Sequence, residues 1–150
     1  MGKICCFAGH NEVSDTSNVY EKIRHIVEHL IIEEGVEEFL IGEYGDFNEI
    51  SKKAILEAKV GFPEIKLNCV IPYNASDLNE HHYLHGESYN KIFTVEVPKN
   101  APLKFGFIKC NEYMIDNSEY MICYVWKEWG GGAKALKYAK EKNIKIYNIA

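Results

Sequence analysis

His10, Asp46 and Asp116 are the side chains of this sequence best suited to moving a proton. An imidazole titrates near neutrality, and a carboxylate serves as general acid or base where its surroundings tune it. Each has a plainer reading beside the chemical one. His10 closes an apolar run and can simply cap a strand end. Asp46 can meet a ribose hydroxyl or cap the helix that follows it. Asp116 can cap a turn before Glu119. Asn111 is an amide suited to a base or a ribose, or else an exposed helical residue. Tyr44 and Trp129 offer faces on which a planar base stacks, with ordinary packing as the alternative. Lys134 can face an anion or only solvent.

Metal chemistry is less well supplied. His81 and His85, with His82 between them, are spaced one helical turn apart, as are His25 and His29. Neither pair carries the H-E-x-x-H pattern of a zinc site, so neither metal nor cofactor is expected. The 5 cysteines form no Cys-x-x-Cys pair, and Cys5, Cys6, Cys69 and Cys123 sit inside apolar runs. That argues against a disulfide framework and for a reducing, cytoplasmic setting.

The elements that must position these groups follow from periodicity. Lys3–Ala8 is a buried strand closed by Gly9. Asn18–Glu34 has Ile23, Ile26, Val27, Leu30 and Ile31 on one face and predicts a helix stopped by Gly35, with Ser14, Ser17 or Asn18 as its cap. Glu38–Gly42 predicts a strand, Phe47–Lys59 a helix and Ile65–Ile71 a strand halted by Pro72. Tyr73–Leu103 breaks the pattern, with Ile92–Val95 as a short strand inside it. Leu103–Asn117 predicts a helix, Glu119–Trp126 a strand and Ala133–Lys142 a helix ended by Asn143. Ile144–Ile149 is the last strand. Alternating strands and helices imply a parallel sheet, and strand runs without polar alternation imply burial on both faces.

Ligands of such a sheet lie beyond the carboxyl ends of its strands. Three of those ends carry small or flexible residues: Gly9-His10-Asn11, Gly42-Glu43-Tyr44-Gly45-Asp46, and Trp129-Gly130-Gly131-Gly132-Ala133. A glycine turn at a helix start offers free amides to an anion, although it can also serve turn geometry alone. No dinucleotide or P-loop fingerprint is present.

At these residues the chain resembles the YpsA-type branch of the SLOG superfamily. Phe7-Ala8-Gly9-His10 is similar to that branch's Thr-Gly-His-Arg motif, and Gly42 to Phe47 to its Gly-x-x-Gly-x-Phe-Asp turn. Lys109 to Asp116 resembles its Lys-Arg-Asn-x-x-Met-x-Asp segment. Trp129 to Ala133, with Tyr138-Ala139, resembles its Gly-Gly-Ala and Tyr-Ala end. The resemblance runs from Lys3 to Ile149. It implies a Rossmann-like fold, bacterial or phage origin, and binding of nucleotides or molecules derived from them. Other members of the superfamily include phosphoribohydrolases and sensors of ADP-ribose-type signals. Asn11, Cys110 and Asn48 depart from the pattern, replacing two arginines and an aspartate. No acid follows Gly132 through Lys137, where the hydrolases carry a glutamate.

Length and composition set the remaining bounds. A chain of 150 residues, 47% hydrophobic, suits one domain. A net charge of −5 argues against a nucleic-acid partner, and no apolar run is long enough for a membrane. The expectation is one α/β Rossmann-like domain over residues 1–150, mostly parallel with helices on both faces, and a lid or insertion at about 73–103. It binds a nucleotide or ADP-ribose-like small molecule as a sensor or sequestering protein, with a homo-oligomer allowed. The alternatives are an N-glycosidic hydrolase or transferase and a structural partner in an assembly. The expected ligand residues are Gly9, His10, Asn11, Gly42, Tyr44, Gly45, Asp46, Asn111, Trp129, Gly130, Gly131, Gly132, Ala133 and Lys134.

Overall fold

The first strand shows why its sequence lacks alternation. In β1 (Lys3–Gly9), Cys5, Cys6 and Phe7 are all at most 1% exposed. Cys5 and Phe7 enter one core, Cys6 and Ala8 the other. Successive side chains of a strand point to opposite faces, so a strand covered on both sides must be apolar throughout. The computed structural model describes residues 2–73 and 88–150.

The chain continues through α1 (Thr16–Glu34), β2 (Val36–Ile41), α2 (Asp46–Gly61), β3 (Lys66–Tyr73) and β4 (Lys91–Glu96). After these come α3 (Leu103–Asp116), β5 (Tyr120–Tyr124), α4 (Gly131–Glu141) and β6 (Lys145–Asn148). The strands form one parallel sheet in the order β4-β3-β2-β1-β5-β6. Helices α1 and α2 cover one face through Val19, Ile23, Val27, Leu30, Ala54 and Ile55. Helices α3 and α4 cover the other through Cys110, Met114, Ile115, Ala135 and Ala139. This is the doubly wound arrangement, with its order reversing between β1 and β5, the switch point at whose carboxyl ends such folds place ligands.

Several boundaries differ from the sequence expectation for physical reasons. The cap of α1 is Asp15, whose Oδ1 accepts the Asn18 amide at 3.2 Å, rather than Ser14, Ser17 or Asn18. Gly35, with φ of 74°, closes the helix as expected. Strand β3 runs through Pro72 instead of stopping before it. Its pairing with β2 ends at Ile41↔Cys69, so beyond that point only β4 flanks the strand, and Pro72 there faces Val95. A proline is tolerated where a strand is paired on one side alone. The short strand expected at Ile92–Val95 is β4, an edge strand. Of the segment expected to form a lid, residues 74–87, with His81, His82 and His85, lie outside the described residues. Among the described residues, no helix is long and apolar enough to cross a membrane, and no group of three or more His, Cys, Asp or Glu could hold a metal ion.

Candidate functional site at the strand carboxyl ends

The switch point between β1 and β5 is built around a buried histidine. Gly9 pairs with Tyr124, and the next amide, of His10, donates to the Tyr124 carbonyl at 3.0 Å. The His10 ring is only 7% exposed. Its Nε2 accepts two backbone amides, of Trp126 and Lys127, each at 3.0 Å. A ring nitrogen that accepts carries no proton, so this imidazole is neutral with its hydrogen on Nδ1. Burial, reinforced by the Lys127 charge, holds its pKa below the ordinary value.

The loop leaving β5 is gripped from the other side as well. On β6, the Asn148 Oδ1 accepts the Val125 amide at 3.1 Å and its Nδ2 donates to the Val125 carbonyl at 2.9 Å. Both strands flanking β5 thus hold the three residues that follow it. What the loop carries is exposed: Trp126 at 62% and Trp129 at 68%, with the Lys127 Nζ 5.0 Å from the Trp126 ring centroid. Two large aromatic faces in water on a braced backbone are preorganised for stacking.

Helix α4 starts where this loop ends. Gly130 takes φ of 94°, a conformation that side chains rarely adopt. Gly132 sits so near β1 that a Cβ would lie 3.1 Å from both the Gly9 carbonyl carbon and His10 Nδ1. Among the described residues no side chain caps α4, and its first turn holds no acid. The amides of Gly131, Gly132 and Ala133 therefore stand at the positive end of the helix dipole, with Lys134 in the same turn.

The other glycine-started helix is different. The Asp46 amide donates to the Asn11 carbonyl, and the Asp46 carboxylate accepts the Val13 amide at 3.2 Å. Asp46 and Glu49 already place negative charge on the first turn of α2. Close by, the Glu43 carboxylate accepts the Tyr89 hydroxyl and the Cys69 thiol, and burial pushes that thiol and that phenol above their ordinary values. This side of the rim is acidic and suits a cation or a hydroxyl better than a phosphate.

The structure gathers most, but not all, of the expected residues. Gly9, His10, Asn11, Gly42, Tyr44, Gly45, Asp46 and Trp129 to Lys134 all lie at the carboxyl ends of β1, β2 and β5. Gly9 is dictated by packing, since a Cβ there would meet the Phe47 ring at 2.7 Å. The Tyr44 ring lies 4.8 Å from that of Phe107 on α3. Asn111 lines a groove of about 190 Å³ between α3 and α4, with Ile108, Gly131, Lys134 and Tyr138. Asp116 is elsewhere. It ends α3 at the amino ends of the strands, accepts the Tyr138 hydroxyl at 2.7 Å and pairs with Lys142 at 3.6 Å. Trp126, Lys127 and Asn148 were missed. Trp126 reads as the end of an apolar strand, and only an amide inside the apolar last strand hints at Asn148.

Fold and rim together define a Rossmann-like, doubly wound domain with an aromatic, partly basic shelf at its switch point. No family model matches the sequence, and no curated protein does. Solved structures match in fold. One is DNA processing protein A from Streptococcus pneumoniae, with a TM-score of 0.63 and 15% identity over 97% of this chain and 49% of that one. Another is DNA processing protein A from Helicobacter pylori, solved for its unique single-stranded DNA binding mode. Its TM-score is 0.64, with 13% identity over 96% of this chain and 63% of that one. The chain spans less than two thirds of either neighbour's length. What the chain shares with both is the Rossmann-like fold.

Two expectations are corrected by this finding. A neighbour of the same fold binds single-stranded DNA, against the expectation of no nucleic-acid partner and against a small-molecule nucleotide sensor. The net charge averages unequal parts. Residues 1–50 carry 11 Asp+Glu against 3 Lys+Arg, a net of −8, while residues 101–150 carry 5 against 8, a net of +3. The second stretch supplies Lys127, on the loop after β5, and Lys134, in the first turn of α4.

Proposed function

We propose that this chain binds single-stranded DNA across the carboxyl ends of β1 and β5. Bases stack on Trp126 and Trp129, and a phosphate rests on the first turn of α4 beside Lys127 and Lys134. The observation that carries this reading is the pair of exposed tryptophans on a loop held by His10 and Asn148. Base–aromatic stacking tolerates any sequence because every base has a π-face. It also requires unpaired bases, which is why the partner is single-stranded. The acidic side of the rim, at Glu43, Asp46 and Glu49, turns the backbone away from β2 and towards α4. Within this reading Gly130 to Ala133 hold the phosphate, and His10 and Asn11 support the loops. Asp116 has no part in it.

The whole chain acts as one domain in this proposal, with the stretch at about 73–103 inserted in it. The motifs around Gly9, Gly45, Asn111 and Gly132 favour the YpsA-type branch as its finer placement. The test is fluorescence anisotropy with a labelled oligo-dT, a duplex of equal length and free ADP-ribose as competitor. Single-strand binding that quenches tryptophan emission, with weak duplex binding and no competition, is expected. Equal affinity in the Trp126→Ala, Trp129→Ala double variant would overturn the proposal.

A further inference from the structure

We infer that His10 is a positioning residue, a proton-sensitive latch that holds the Trp126–Lys127 backbone in its DNA-binding shape only while its imidazole is neutral. The inference rests on the DNA-binding reading for its consequence, but the latch itself rests on geometry. One nitrogen, Nε2, accepts two consecutive amides at 3.0 Å each. A proton on Nε2 turns that acceptor into a donor facing two donors, so both hydrogen bonds are lost together. The ring cannot easily turn to offer its other nitrogen. It is 7% exposed and lies edge-on to Tyr124 and Trp126, with centroids at 6.3 and 5.7 Å. Its Nδ1 side is closed by Gly132, where even a Cβ would be 3.1 Å away. Protonation must therefore move the loop.

The charges around the ring agree on the direction. From the β5 loop, Lys127 opposes a second positive charge. From α4, the uncapped amides of Gly131 to Ala133 do the same. Asp46, at the start of α2 on the Asn11 side, has its carboxylate committed to the Val13 amide. Glu128 on the same loop is exposed. Burial acts in the same sense and holds the folded pKa below the ordinary histidine value. A depressed histidine pKa contributes stability that is present above the unfolded pKa of about 6.5. That contribution is lost as pH falls through the folded pKa. The loop is latched at neutral pH and released as the pH falls through that lowered pKa.

The deciding comparison sets wild type against His10→Gln, whose side-chain oxygen can accept the same amides and does not titrate. Amide NMR on the free protein reads the latch without DNA. In wild type the Trp126 and Lys127 amide signals should shift together between pH 7.5 and pH 5 and lose protection from exchange. In H10Q they should stay fixed. Oligo-dT affinity should fall with the same pH course as the amide signals in wild type, and fall at least threefold less in H10Q. A folded H10A protein should show unprotected Trp126 and Lys127 amides at pH 7.5. Identical pH courses in wild type and H10Q overturn the latch, as do amides that stay protected in H10A. If the amide signals behave as expected but wild type binds no oligo-dT at any pH, the DNA reading fails and the latch stands.

Discussion

Trp126 and Trp129 put most of their surface in water, an uncommon position for tryptophan without a partner to receive. Replacing either with alanine should cost about 1–3 kcal/mol of single-strand affinity, the worth of one stacked base. Melting temperature should change little for Trp129→Ala, while Trp126→Ala also removes the ring beside buried His10 and should lower it slightly. Anisotropy and thermal melting on the same samples check both halves. The cysteines sit at the opposite extreme. Burial pushes the thiols of Cys6, Cys110 and Cys123 up to about 12, and burial likewise raises Cys5 and Cys69. Native protein should therefore react with a thiol reagent no faster than it unfolds. Rapid stoichiometric labelling of a folded sample would contradict that.

At the scale of elements, α4 differs from α2, the other glycine-started helix, in holding no acid in its first turn. Gly131 has open space around it and no positive φ, so Gly131→Asp should fit. Its carboxylate would complement the helix dipole, worth about 0.3–1 kcal/mol at such a site. It would also occupy the place proposed for a phosphate. Melting temperature should rise slightly while oligo-dT affinity falls at least fivefold, and those opposite signs separate anion binding from simple damage. Unchanged affinity would place the backbone elsewhere. Gly132 should behave differently, because its missing Cβ is what lets α4 approach β1. Gly132→Ala should destabilise by about 1–3 kcal/mol through overpacking, measured by denaturant unfolding. Much of this was legible in the sequence: three glycine turns at three strand ends, and helices beginning after two of them. Which turn keeps its amides available was not. That depends on Asp46 reaching back to Val13, a contact across 33 positions of sequence.

For the molecule as a whole, the division of charge predicts a salt response. If Lys127, Lys134 and the α4 amides neutralise two or three phosphates, log affinity against log salt should have a slope of about −1.5 to −2, at roughly 0.7 per phosphate for single strands. A slope near zero would mean that stacking alone holds the strand. A slope far steeper would demand a basic surface that the acidic first half of this chain does not have. The choice of single strand over duplex is expected at every salt concentration, because a paired base hides the face that tryptophan needs.

By itself the sequence determined the architecture. Apolar runs without alternation meant strands buried on both faces, and three- and four-residue spacings meant helices packed on one side. Alternation of the two on either side of residues 73–103 left a parallel sheet with its binding edge at the strand carboxyl ends. These are local patterns, and burial imprints them directly on the chain. The tertiary structure decided which residues share that edge. It carried Asp116 to the far end of the sheet and made His10 an internal acceptor. It turned Trp126 from the expected end of a buried strand into an exposed surface. Exposure, hydrogen-bond partners and the field around a site arise between segments distant in sequence, so neither periodicity nor summed charge could report them.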